Sequence, residues 1–139
     1  MSTVDTPVHF SYKMQVLESH LDSFGHVNNA KYLEFYEAAR WDFIDRGGYG
    51  LKEIQELQQG PVILDVHCRF KREIINREWI TITSRSEAWN GKIGKIHQEI
   101  LKEGGKVSSE AVFTVGFMDF KQRKLVPPTD KWLQAVGLL

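Results

Sequence analysis

Hydrophobic and polar positions change their spacing along the chain, and each change marks an element. Val8, Phe10, Tyr12, Met14 and Val16 alternate with His9, Ser11, Lys13 and Gln15, and a period of two predicts a half-buried strand. Further on the spacing lengthens. Tyr32, Tyr36, Ala39 and Phe43 recur at intervals of four, three and four, which places them on one face of a helix. Leu33, Trp41 and Ile44 extend apolar surface around the cylinder, so this helix is expected to be buried on most sides and to end at Gly47-Gly48. Leu51 to Gln59 predicts a short second helix, stopped by Gly60-Pro61.

Beyond that point the period returns to two. Val62, Leu64, Val66, Cys68 and Phe70 alternate with Ile63, Asp65, His67 and Arg69. Further strands are expected over about 78–89, 92–102 and 107–120, joined at Asn90-Gly91 and Gly104-Gly105, pairs that tolerate the positive φ of tight hairpins. Pro127-Pro128 ends the sheet, and Thr129 is placed to cap a short terminal helix carrying Trp132, Leu133 and Val136. The chain has no repeats or low-complexity tracts. One strand, two helices and four strands predict an α+β layer pair in a single domain over residues 1–139. One sheet on one helix leaves strand edges and a sheet face needing cover, so self-association is expected.

Composition narrows the possibilities. The 139 residues are 42% hydrophobic, enough for an ordinary core. Lys and Arg total 18, as do Asp and Glu, so overall charge points to neither nucleic acid nor a charged membrane. The single cysteine, Cys68, excludes an intrachain disulfide and a cysteine-built zinc site, and its strand position reads as a small core residue. Met1 to Thr6 lacks a basic segment followed by an apolar one, and no apolar run approaches ~20 residues. A cytoplasmic location is expected.

Against that background one stretch carries the chemistry. Asp22-Ser23-Phe24-Gly25-His26-Val27-Asn28-Asn29 runs straight into the long helix. A helix start offers unpaired backbone N–H groups and a positive dipole end, suited to an anion or a developing oxyanion. A carboxylate beside such donors supplies two parts of a hydrolytic site. Asp22 also reads as a turn or capping residue, although Asn28 and Asn29 are better placed to cap the helix. Gly25 suits a tight turn or a close backbone approach to ligand. His26 reads as a brace for the loop or as a general base, and His20 and His26 lack the spacing of a helical zinc pair. Glu37 is expected to pair with Arg40 three residues later, or else to be a second carboxylate of the site. Tyr32, Phe35, Tyr36 and Phe43 read as core. Lys71, Arg72 and Arg77 form a basic group near a strand connection, either solvated or holding ligand phosphates. Serine-hydrolase, P-loop and dinucleotide signatures are missing.

Asp22-x-x-Gly25-His26-Val27-Asn28-Asn29-x-x-Tyr32, followed by Glu37-x-Ala39-Arg40, resembles the hot-dog-fold acyl-CoA thioesterases of the hydroxybenzoyl-CoA thioesterase type. The resemblance covers about residues 8 to 120. It implies a five-stranded antiparallel sheet wrapped around a long central helix, with protomers joined edge to edge as homodimers and often again as homotetramers. It implies that Asp22 is the catalytic carboxylate and that the backbone N–H of Asn29 polarises the thioester carbonyl. His26 joins them as a candidate catalytic residue. Gly25, Val27, Asn28, Tyr32 and Glu37 are then expected around the substrate, and Lys71, Arg72 and Arg77 near the phosphates of coenzyme A. The substrate would be an acyl-CoA or an acyl-carrier-protein thioester, with no metal or cofactor. His20 stands where many relatives carry an acid, a change in how the loop is braced. Two other readings fit the same fold: a non-catalytic acyl-CoA or lipid-binding module, and a dehydratase or hydratase, whose aspartate and histidine are spaced more widely than Asp22 and His26.

Overall fold

The computed structural model describes residues 8–139; the Met1–Thr6 stretch read for a leader lies outside the described residues. The chain forms β1 (His9–Gln15), a single 3-10 turn (Glu18–His20), α1 (Asn29–Arg46), α2 (Leu51–Leu57), β2 (Gln59–Phe70), β3 (Trp79–Ser86), β4 (Ile93–Leu101), β5 (Val107–Asp119), the two-residue β6 (Lys124–Leu125) and α3 (Asp130–Ala135). The strands pair antiparallel in the order β1-β3-β4-β5-β2, and β6 adds to the far end of β5. Five long strands thus curl around α1, which is the hot-dog arrangement.

The alternation seen in the sequence builds the core. Ile80 and Ile82 of β3, Ile96 and Ile100 of β4, and Phe113, Val115 and Phe117 of β5 point inward and are buried. Tyr32, Phe35, Tyr36, Ala39 and Phe43 of α1 meet them. Each large apolar side chain so enclosed contributes about 1.5–3 kcal/mol. Where the helix lies nearest, the inner face turns small and polar. Tyr36 Oη donates to Ser109 Oγ at 2.7 Å, and Gln98 Nε2 donates to the Tyr36 carbonyl and to Ser84 Oγ, both at 3.0 Å. α3 packs Trp132 against Tyr49, Trp89 and Phe117, closing the far end of the core.

Several local expectations are met. Asn28 caps α1 by accepting from the Ala30 N–H at 2.9 Å, and Thr129 caps α3. Gly104 and Gly105 both take φ +89° in the β4–β5 hairpin. Others need correction. Gly60 and Pro61 do not stop α2; Gln58 does so in the left-handed region, and both residues lie inside β2. Pro61 is tolerated there because β2 is an edge strand. The alternation of β2 is interrupted by a bulge at Leu64, since Ile63 pairs with Val115 but Asp65 with Thr114. The extra residue reverses the faces: Pro61 and Ile63 point inward before it, Val66, Cys68 and Phe70 after it. The helix is also less enclosed than expected. Leu33 and Trp41 remain about 40% exposed, because among the described residues no layer covers that side. Among the described residues no helix is long and apolar enough to cross a membrane.

Candidate active site

The chain reaches α1 through a closed loop. The Asp22 N–H donates to the His26 carbonyl at 2.8 Å, and the Asn28 N–H to the His20 carbonyl at 3.0 Å. Gly25, at φ +81°, makes the reversal between them possible. The Asp22 side chain folds over this turn, its Oδ1 accepting from the N–H groups of Phe24 at 2.9 Å and His26 at 3.2 Å. Aspartate is thus the turn residue it resembles in sequence, yet only one of its oxygens is so used. Oδ2 has no protein partner among the described residues, and Asp22 is half-buried.

Immediately after the loop, α1 begins. Asn28 Oδ1 takes the Ala30 N–H, and the Lys31 N–H bonds back to the Asn28 carbonyl. The Asn29 N–H finds no acceptor among the described residues, and Asn29 is exposed. The Asp22 loop and the positive end of an 18-residue helix thus supply a carboxylate oxygen and a backbone donor, each without a partner among the described residues. Such a pair can present an oxygen to a carbonyl carbon and hold the charge that forms on the carbonyl oxygen.

The other residues named from sequence divide into braces and bystanders. His26 Nε2 lies 3.0 Å from Glu73 Oε2, tying the loop to the β2–β3 connection, where His26 also bridges Ile75. His20 accepts the Leu17 N–H through Nδ1 and meets the Phe35 ring edge-on at 4.9 Å. Val27 and Tyr32, expected around the substrate, are buried at the loop's end and the start of α1. Burial also raises the Tyr32 phenol above its ordinary range.

One expectation fails. Glu37 and Arg40 do not form an ion pair. Arg40 turns inward, stacks its guanidinium 4.0 Å over Phe113 and donates to Gln98 Oε1 at 3.0 Å, while Glu37 stays exposed. Packing under the helix outweighs the surface attraction of neighbours three apart. Lys71, Arg72 and Arg77, the expected phosphate ligands, each hold a partner within the chain. Lys71 pairs with Glu110 at 3.1 Å, Arg72 donates to the Val107 carbonyl at 2.8 Å, and Arg77 forms a two-point pair with Glu18. Each cation is already engaged in a different direction.

Sequence reading passed over Glu73 and Gln98 and gave Trp132 only as part of the terminal helix. Gln98 is 1% exposed, and a glutamine on the apolar face of a strand was the signal available. One concavity, of about 440 Å³, lies on the outer face of the sheet among His9, Arg85, His97 and His67, on the side away from α1. A smaller one of about 130 Å³ lies under the second half of α1, between Arg40, Trp41, Ile63 and Trp132.

Comparison with known proteins places the chain. A family model described as the thioesterase-like superfamily matches residues 16–136. The long-chain acyl-CoA thioesterase FadM of Escherichia coli is 34% identical over 113 residues, 81% of this chain and 85% of that protein. The crystal structure titled "YbaW Probable Thioesterase", also from Escherichia coli, is 29% identical, covers 93% of this chain and 97% of that one, and superposes with a TM-score of 0.82. A Staphylococcus aureus protein, SAV2348, solved in complex with CoA, shares the fold at a TM-score of 0.87 and 18% identity, over 97% of this chain and 85% of that one.

Proposed function

The chain belongs to the thioesterase-like superfamily, and from that premise we propose that it hydrolyses acyl-coenzyme A thioesters to a carboxylic acid and coenzyme A at the Asp22 loop. The observation that carries the assignment is an Asp22 carboxylate whose Oδ2 has no protein partner among the described residues, in a loop that leads directly into the α1 start, where the Asn29 N–H likewise has no acceptor among them.

In this reading the thioester carbonyl oxygen accepts from the Asn29 N–H. As its carbon becomes tetrahedral, the negative charge gathers where the helix start stabilises it, an effect worth about 3 kcal/mol for one well-aimed donor. The group that attacks or takes the proton is the Asp22 carboxylate. Its Oδ2 then acts in one of two ways. It attacks the carbon, forms an acyl-aspartyl anhydride and expels the thiolate, and water later cleaves the anhydride. Alternatively it takes a proton from the water that attacks. The thiolate leaves readily in both routes and picks up its proton from solvent. His26, bonded to Glu73, positions the loop and needs no proton-transfer role.

The acyl group would lie against the open side of α1 and the inward residues of β2. The apolar character of that trough and the likeness to FadM favour a long chain over a small aromatic acyl group. The same apolar edge strand, with Ile63, Leu64, Val66 and Phe70 at 40–50% exposure, suits a homodimer joined through β2; light scattering that returned the mass of a single protomer would reject it.

Thiol release from a panel of acyl-CoA esters tests the function. Asp22→Asn should lower the rate at least about a hundredfold with the fold retained. Full activity in that variant would reject the assignment of Asp22. Tight acyl-CoA binding without thiol release by the wild type would favour the non-catalytic module.

A further inference from the structure

The second half of α1 holds chemistry that thioester cleavage does not use. On its open side the helix presents Leu33, Glu37 and Trp41, one every four residues. Phe70, Val66 and Ile63 of β2 run alongside, from the Tyr32–Phe70 contact at the helix start to the shared lining of Trp41 and Ile63. This trough ends in the 130 Å³ pocket under Arg40.

The floor of that pocket is polar in one sense only. Arg40 is 8% exposed, and of its five donors one is satisfied, by Gln98 Oε1. Burial lowers its guanidinium to about 10, still protonated at neutral pH, so it can only donate. Trp132 is fully buried, lines the same space, and its Nε1 has no partner among the described residues. Among the lining side chains the one carboxylate is Glu37, exposed at the rim. Donors enclosed without acceptors are costly, and a hydrocarbon end seated here would remove their water and offer nothing in exchange.

We propose that this pocket receives the far end of the acyl group and selects chains carrying a neutral oxygen there, a hydroxyl or keto group, over plain hydrocarbon. The inference rests on the hydrolysis reading and adds the substrate class to it. A hydroxyl accepts from Arg40 and donates to Glu37; a keto oxygen accepts from Arg40. A carboxylate would meet the Glu37 charge across the same small space. Arg40 lies eleven residues beyond Asn29, about 16 Å along the helix, so the oxygen belongs far from the thioester and not at the third carbon.

The test uses the wild-type protein and CoA esters of one chain length, either saturated or bearing a hydroxyl or keto group moved stepwise along the chain. Thiol release should show kcat/KM at least about tenfold higher when the oxygen sits about 16 Å from the thioester than for the matched hydrocarbon. The 3-hydroxy ester should show no such gain. Arg40→Lys, which keeps the charge and loses the planar fork, should narrow the preference while the saturated ester is still cleaved. Equal kcat/KM with and without the distal oxygen would overturn the proposal and leave hydrolysis standing. An ω-carboxyl ester cleaved better than the hydroxyl ester would overturn the neutral-oxygen choice. Release from none of the esters would remove the hydrolysis reading and this inference with it.

Discussion

At the start of α1 a backbone N–H has no acceptor among the described residues and directly follows a loop carrying a half-buried carboxylate; eleven residues on, a guanidinium with spare donors is enclosed between helix and sheet. The first arrangement follows from helix geometry alone, since every helix start leaves such donors, and water satisfies them at little cost until a substrate arrives. The second exists only because Phe113, Gln98 and the helix pack around a charge, and it is maintained against the expense of removing that charge from water. One end of the helix is suited to chemistry that is the same for every thioester, the other to discrimination between acyl groups.

The contrast can be broken from either side. The largest effect is expected at the open end, where Asp22→Asn should cost at least about a hundredfold in thiol release with an unchanged thermal midpoint. At the enclosed end stability should respond before catalysis. Gln98→Leu leaves Arg40, the Tyr36 carbonyl and Ser84 without their partner, and urea unfolding should show a loss of about 3 kcal/mol at constant m. An unchanged midpoint would mean that Arg40 is not held by Gln98. The smallest effect belongs to the exposed brace beside the Asp22 loop. The hydrogen bond from Arg77, helped by Asn76, lowers the Glu18 carboxyl from the usual 4.5 to about 2. Its stabilisation is therefore present above about pH 4.5 and is lost as pH falls toward 2. Glu18→Gln should flatten the stability profile across that window, and added salt should shrink the difference.

Where an element or turn is specified by residues close in sequence, the pattern of the chain was sufficient. The strands, the long helix, the Asn28 and Thr129 caps and the Gly104-Gly105 hairpin all fall where spacing places them. The turn at Asp22 belongs to the same class, because the bonds that close it span two to eight residues, although His26 and Val27 also tie it to the distant β2–β3 connection. What spacing does not record shares a cause. A period of two cannot register the extra residue at Leu64, which becomes visible only when β2 is laid against β5. Lys71, Arg72 and Arg77 are neighbours in sequence, but a strand end and a connection send them to Glu110, Val107 and Glu18.

The sequence by itself therefore determined the order of elements, the faces they bury and the local loop that presents Asp22 at a helix start, because each of these is encoded in intervals of a few residues. Tertiary structure decided which charges are paired, which side of α1 stays open and what lies at the end of its trough. Arg40 meets Gln98 across 58 positions of chain, and no interval in the sequence records a meeting that only the curvature of the sheet brings about.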